Sequence, residues 1–291
     1  MPPLALGMLI VAAVLHASWN LIVKQAVERQ IFTWWSLVVG ALCFLPLLAL
    51  GPGLPSRVWP YVIASALVET FYFFALTRAY GLGDFSLIYP LARGTAPALL
   101  AVWAALFLGE RPGAYGLLGL AILIVGLIVV GSGAWWAQRA RRARRGAVPV
   151  SLVGVAAALL VALCISVYSA IDGAAMRFAS PIGYTIVVLG LSAIFATPLI
   201  LLRYPLGAVR AEWQANWPRI ILVGVLNLGT YMLVLASYAR ARVGYAGAIR
   251  ELSVVVAALI GWHWLGEPFG AHRTLGALLI FGGIVVIATL G

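Results

Sequence analysis

The chain has 291 residues, 64% of them hydrophobic and only 9% charged, with a net charge of +11. A mean hydropathy of +1.07 excludes an ordinary soluble domain and places the chain in the membrane class. The positive charge invites a nucleic-acid role, but its densest part, RARRARR at 139–145, sits beside apolar spans. There arginines fix topology or meet anionic headgroups, so no nucleic-acid partner is expected.

A bilayer core of about 30 Å needs roughly 20 apolar residues per helix. Such runs fall at 4–24, 31–50, 58–79, 85–107, 112–131, 150–172, 182–202, 217–239, 244–264 and 271–290. They are too long and too unbroken to alternate as strands. The expected fold is therefore an all-α membrane protein of ten transmembrane helices. The opening, MPPLALGMLI, lacks a basic region and runs straight into the first span, so no cleavable signal is expected. Connections such as GPGLPSR, GERPG, SPIG and GEPFG are short and marked by glycine and proline. The longer stretch 132–149 separates a five-span unit, 1–131, from a second, 150–291.

Taken in chain order, the polar residues inside spans are few. Span 1 carries His16, Asn20 and Lys24 at i, i+4 and i+8, which is one helical face. Glu69 lies near the middle of span 3, where an unpaired charge costs about 2.5–3.5 kcal/mol on insertion scales. It suits a proton-coupling carboxylate or a partner for Arg93. Arg93 stands two turns into span 4, with Tyr89 and Pro97 on its face. Span 6 repeats the stripe of span 1 as Cys164, Tyr168 and Asp172, and span 8 holds Asn227 and Tyr231. Lys24 and Asp172, near span limits, are read equally well as interface markers. Arg250 stands two turns into span 9, followed by Glu251, which a regular helix would turn about 100° away. His263, between Trp262 and Trp264, reads as an interfacial anchor.

The halves echo each other. A shift of 157 positions lays Leu108-Gly109-Glu110 on Leu265-Gly266-Glu267, Gly119 on Gly276, Gly126 on Gly283 and Arg93 on Arg250. An odd number of spans per unit makes these inverted repeats, an arrangement that places a solute site near the midplane where the units meet. From opposite sides, Arg93 and Arg250 can then converge on one anion, since guanidinium forks suit carboxylate or phosphate. In each LGE turn the glycine ends one helix, and the glutamate is expected to cap amides at the start of the next. The glycines of spans 5 and 10 permit close helix packing, within a monomer or across a homodimer. Cys43 and Cys164 both lie in spans, giving no disulfide or metal site, and no cofactor signature is present. Nor is there a Walker loop or GxSxG elbow, so neither an ATP-driven pump nor a hydrolase has a signal.

Loop charge bears on orientation. The odd-numbered connections hold twelve basic residues (Lys24, Arg29, Arg78, Arg139, Arg141, Arg142, Arg144, Arg145, Arg203, Arg210, Arg219 and Arg273). The even-numbered ones hold five: Arg57, Arg111, Arg177, Arg240 and Arg242. The positive-inside rule then places the arginine-rich linker in the cytoplasm and both termini outside.

HASWNLIVK in span 1, Pro90 and Arg93 in span 4, SVYSAIDG in span 6 and the two LGE turns resemble the drug/metabolite transporter superfamily, in particular its ten-helix EamA-like members. The resemblance covers the whole chain, through the order of these motifs and the doubled unit. It implies an inverted 5+5 fold and alternating access for a small metabolite, and the cell's inner membrane is the expected location. It also implies a cavity lined by helices 1, 3, 4, 6, 8 and 9, with 5 and 10 at the periphery. Relatives that carry sugar phosphates bind them through basic residues on the ninth helix. Here Arg250-Glu251 replaces their lysine-arginine pair, which argues against a strongly phosphorylated solute. That family mostly keeps both termini in the cytoplasm, opposite to the loop charge here.

The expected function is a secondary transporter of a small anionic or zwitterionic metabolite (an organic acid or an amino acid), not an enzyme. Arg93 and Arg250 hold the negative group, His16, Asn20, Tyr89, Tyr168, Asn227 and Tyr231 shape the cavity, and Glu69 or Glu251 couples proton movement. The competing classes are a membrane enzyme acting on a lipid-linked substrate, which would need a catalytic cluster at the interface, and a non-transporting partner or sensor.

Overall fold

The computed structural model describes residues 1–82, 85–143, 152–256, 259 and 271–291, with side chains for these except 24, 77–82, 85–91, 94, 130–143 and 271–273. Every regular element among the described residues is helical. In order they are α1 (Pro3–Lys24), α2 (Arg29–Phe44), α3 (Pro46–Leu50), a 3-10 turn (Ser56–Val58), α4 (Trp59–Leu82), α5 (Phe85–Phe107) and α6 (Ala114–Ala143). The second half supplies α7 (Leu152–Ala175), α8 (Pro181–Arg203), α9 (Leu206–Tyr238), α10 (Val243–Arg250) and α11 (Ala271–Leu290). Six stretches of described residues are long and apolar enough to cross a membrane, and Thr95–Phe107, Ala114–Val129 and Thr274–Leu290 are shorter apolar helices. The predicted span 244–264 lies partly outside the described residues, as do His263 and the second LGE turn.

These helices are apolar nearly all round, as a chain solvated by lipid requires. In α1, Ala5, Leu9, Ala12, Ala13 and Ala17 are buried, whereas Leu4, Val11 and Val14 face outward. Small residues line the inner face, which lets helices approach closely.

Four boundaries differ from the sequence expectation, each for a local reason. The second span breaks at Leu45, because Pro46 has no N–H to continue the ladder. The fifth runs on to Ala143, through alanine, glutamine and arginine that favour helix. The eighth begins earlier, at Leu206, with Pro218 inside it. That extension is held by Trp35, whose indole donates to the Val209 carbonyl at 3.0 Å and packs on the Trp213 ring at 5.0 Å. The ninth is interrupted at Glu251, where Glu251 N–H bonds the Ala248 carbonyl and Val254 N–H bonds that of Glu251. Both bonds span three residues rather than four, so the chain tightens and turns there.

Packing is largely between halves. Helix α1 lies on α9 and, equivalently, α7 on α4; α2 lies on α9 and α8 on α4; α1 meets α10 and α7 meets α5. The remaining pair, α6 and α11, cross at glycines. A Cβ on Gly119 would come within 2.9 Å of the Gly283 carbonyl oxygen, and one on Gly126 within 2.8 Å of that of Gly276. Since Gly276 and Gly283 are the repeat equivalents of Gly119 and Gly126, this crossing is reciprocal. The architecture is an all-helical, inverted-repeat membrane fold whose helices interleave around a shared centre.

Candidate functional site

The interleaving carries polar side chains from both halves to one place. Arg93 on α5 reaches across to Glu251, with Nη1 3.0 Å from Oε1, and its Nη2 lies 2.7 Å from His16 Nε2 on α1. Arginine has no acceptor, so His16 receives this bond through an unprotonated Nε2. Arg250 places Nε 3.7 Å from the same Glu251 oxygen, and its Nη1 donates to Ser169 Oγ of α7 at 3.4 Å. The two arginine side chains are 12% and 7% exposed and Glu251 not at all. Thus both arginines lie against one carboxylate oxygen, and that carboxylate belongs to the protein itself. The break in the helix at Glu251 explains why this side chain does not point away from Arg250.

A second carboxylate lies beside this triad. Asp172 Oδ1 accepts from Ser65 Oγ at 2.6 Å and from the Tyr184 hydroxyl at 2.8 Å, and Oδ2 accepts from Tyr231. Asp172 is wholly buried, not an interface marker at a helix end. Three hydroxyl donors replace the water it has lost. Glu69, also buried, accepts from Ser192 Oγ at 3.3 Å. Among the described residues, Arg93 pairs with Glu251, and no ion pair joins it to Glu69. Tyr168 packs among these groups, its ring 5.8 Å from Tyr72 and 6.5 Å from Tyr231.

Of the predicted site residues, His16, Glu69, Arg93, Tyr168, Tyr231, Arg250 and Glu251 come together. Asn20 does not join them: it is exposed and donates to the His16 carbonyl of its own helix at 2.7 Å. No hydrogen bond among the described residues joins Asn227, half-buried one turn before Tyr231, to the cluster. The side chains of Tyr89 and Lys24 lie outside the described residues. No group of three or more His, Cys, Asp or Glu side chains among the described residues is arranged to hold a metal.

The profile of the EamA-like transporter family matches residues 3–132 and, a second time, residues 152–289. The chain belongs to that family. EamA-like proteins are membrane transporters, and the doubled match falls on the two interleaved halves. A search of curated proteins finds no match. A solved structure described as "Crystal structure of protein" is similar over 99% of both chains, with a TM-score of 0.77 at 19% identity. At that identity the likeness concerns the fold alone.

One part of this EamA-like chain corrects the sequence reading. Glu110 of the first LGE turn does not cap the helix that follows it. Its Oε1 accepts from the Val243 amide and its Oε2 from that of Gly244 at 3.1 Å, so it caps α10 of the other half. A carboxylate at a helix start is favoured by the free amides and dipole there. Gly109, at φ 68°, is the one non-negative-φ position on the described backbone and bends the chain so that Glu110 faces across. Ser65, Ser169, Tyr184 and Ser192 were not anticipated as site residues. Single hydroxyls in apolar helices carry little signal, because most of them bond back to their own helix.

Proposed function

We propose that this EamA-like protein is a secondary transporter that moves a small anionic or zwitterionic metabolite, an organic acid or an amino acid, by alternating access between its two halves, 1–131 and 150–291. The observation that carries this reading is the meeting of Arg93 and Arg250, one from each half, over a single carboxylate oxygen. Two guanidinium groups that hold one carboxylate are chemically suited to hold another. Because they belong to opposite repeats, rocking one half against the other changes their separation and so the strength with which an anion is held. His16, Tyr168 and Tyr231 shape the surroundings, and Glu69 offers an acceptor for the ammonium of a zwitterion. Proton movement is coupled through Glu69 or Glu251. The inner membrane is the expected location.

The test is binding to purified protein in detergent and counterflow in proteoliposomes, with labelled L-lactate, succinate and L-alanine as probes. Replacing Arg93 or Arg250 by glutamine should weaken binding on the order of a hundredfold, since breaking a buried charge pair costs about 2–5 kcal/mol. Retained helical content by circular dichroism would separate lost binding from lost folding. Normal counterflow in both variants would remove the arginines from the site.

A further inference from the structure

The place between the two guanidinium groups is filled by the chain. Glu251 Oε1 is 3.0 Å from Arg93 Nη1 and 3.7 Å from Arg250 Nε, while Oε2 has no hydrogen-bond partner among the described residues. Arg250 Nε likewise lacks a hydrogen bond among them. A buried ion triad of this kind is weak support for stability, because desolvation offsets most of the Coulombic gain. A half-satisfied triad offers still less. Its composition is better explained by something that must leave it.

We infer that Glu251 is a tethered counter-ion which a carboxylate solute replaces between Arg93 and Arg250, and that one proton accompanies each solute anion. This rests on the reading that the two arginines bind the solute. With Glu251 ionised, an incoming carboxylate would stand beside another at contact distance in a water-poor site, where like charges repel strongly. A proton taken from water onto Oε2 neutralises Glu251 and frees both guanidinium groups. The anion then takes the vacated position, so the net charge of the site is unchanged. On the far side the anion and the proton leave together, and Glu251 pairs with the arginines again. For a monoanion the cycle moves no net charge, and proton and anion travel in the same direction.

Other groups facing this triad do not serve the same end. His16 on α1 presents an acceptor to Arg93, and Ser169 on α7 a hydroxyl oxygen to Arg250. Tyr238 on α9 is buried, its hydroxyl 3.6 Å from where a Cβ on Gly247 of α10 would stand. The other two carboxylates are held elsewhere, Asp172 by three hydroxyls and Glu69 by Ser192. Among the described residues, Glu251 is the carboxylate in direct ion contact with both arginines, and it stands where the ninth span loses its regular ladder. A side chain on such a turn can swing without unwinding a full helix.

Calorimetry of the full chain in detergent, in two buffers of different ionisation enthalpy, counts protons per bound anion for L-lactate, succinate, L-alanine and inorganic phosphate. The expected result is arginine-dependent binding of a carboxylate probe with uptake of about one proton. Uptake of one proton per bound anion makes affinity fall with rising pH, by about tenfold per pH unit. Glu251→Gln should bind the same probe with no proton uptake and no pH dependence. Proton-free binding by the wild-type chain would overturn the inference, and that measurement needs no variant to fold. Proton uptake that persists in Glu251→Gln would also overturn it, while leaving the arginine site standing. Failure of every probe to bind, or binding that ignores Arg93→Gln and Arg250→Gln, would overturn the anion-site reading and this coupling with it.

Discussion

At the scale of single residues, the contrast between Asp172 and Glu251 shows what buried charge requires. Asp172 has no exposure and, among the described residues, no cation bonded to it; Ser65, Tyr184 and Tyr231 supply the donors that water would otherwise give. Glu251 has cations on one oxygen and, among the described residues, no hydrogen-bond partner on the other. The first arrangement is closed and the second is poised. Removing one hydroxyl from the closed set should therefore be felt as lost stability. Tyr184→Phe leaves Oδ1 with Ser65 alone, and a buried acceptor deprived of a donor costs about 1–3 kcal/mol. The expected outcome is a lower thermal midpoint in detergent, read by circular dichroism. An unchanged midpoint would show that Asp172 finds a replacement donor and that the three-hydroxyl cage is not structural.

At the scale of helices, the crossing of α6 and α11 is where side-chain size decides. Gly119→Ala would set a methyl group 2.9 Å from the Gly283 carbonyl oxygen and 2.7 Å from Ile287 Cγ1, so the helices must part. Gly282, one position from the crossing, has nothing within 4 Å of a built Cβ. Gly282→Ala should be neutral or stabilising by up to about 1 kcal/mol, because glycine is a poor helix former. Comparing the two thermal midpoints tests the crossing: an equal response would mean that α6 and α11 do not pack at Gly119. This crossing was half legible in the sequence. The glycine periodicity announced close packing, but which helix lay opposite depends on the fold of both halves together. The same limit applies at the site. Arg93 and Arg250 stood out because charge in an apolar span is costly and because the repeat doubled them. Glu251's true direction did not, because a regular helix was assumed across a turn that proline and glycine do not mark. Asn20 shows the reverse error, since i+4 spacing aligned it with His16 yet one helical face is broad enough for the two to part.

At the scale of the molecule, one face is marked by both ends of the chain. The Met1 ammonium donates to the Ala288 carbonyl at 3.0 Å, and Met1, Glu110, Arg240, Arg242, Tyr245 and Gly291 border a cavity of about 490 Å³. Glu110 binds the start of α10 there, fastening the first half to the second on this side. From beside that face α6 runs 30 residues, about 45 Å at ~1.5 Å per residue, so that its end at Ala143 lies toward the opposite side. With ten spans, the twelve basic residues of the odd connections and the five of the even ones are expected on opposite faces. Translocating the five clustered arginines is unfavourable, so the linker face should be cytoplasmic and the face with both termini outside. With Cys43 and Cys164 replaced by alanine, a membrane-impermeant maleimide should label Gly291→Cys in intact cells and Ala140→Cys only after permeabilisation. The reverse pattern would turn the protein over in the membrane without altering its fold, because an inverted repeat inserts equally well either way. Loop charge is then the deciding influence, which the same assay checks directly. Changing Arg139, Arg141, Arg142, Arg144 and Arg145 to glutamine reduces the odd-loop excess from twelve against five to seven against five. Labelling of Gly291→Cys in that background should drop from complete to mixed as some copies insert the other way up. Complete external labelling despite the loss of all five would show that something other than the linker's charge sets the orientation.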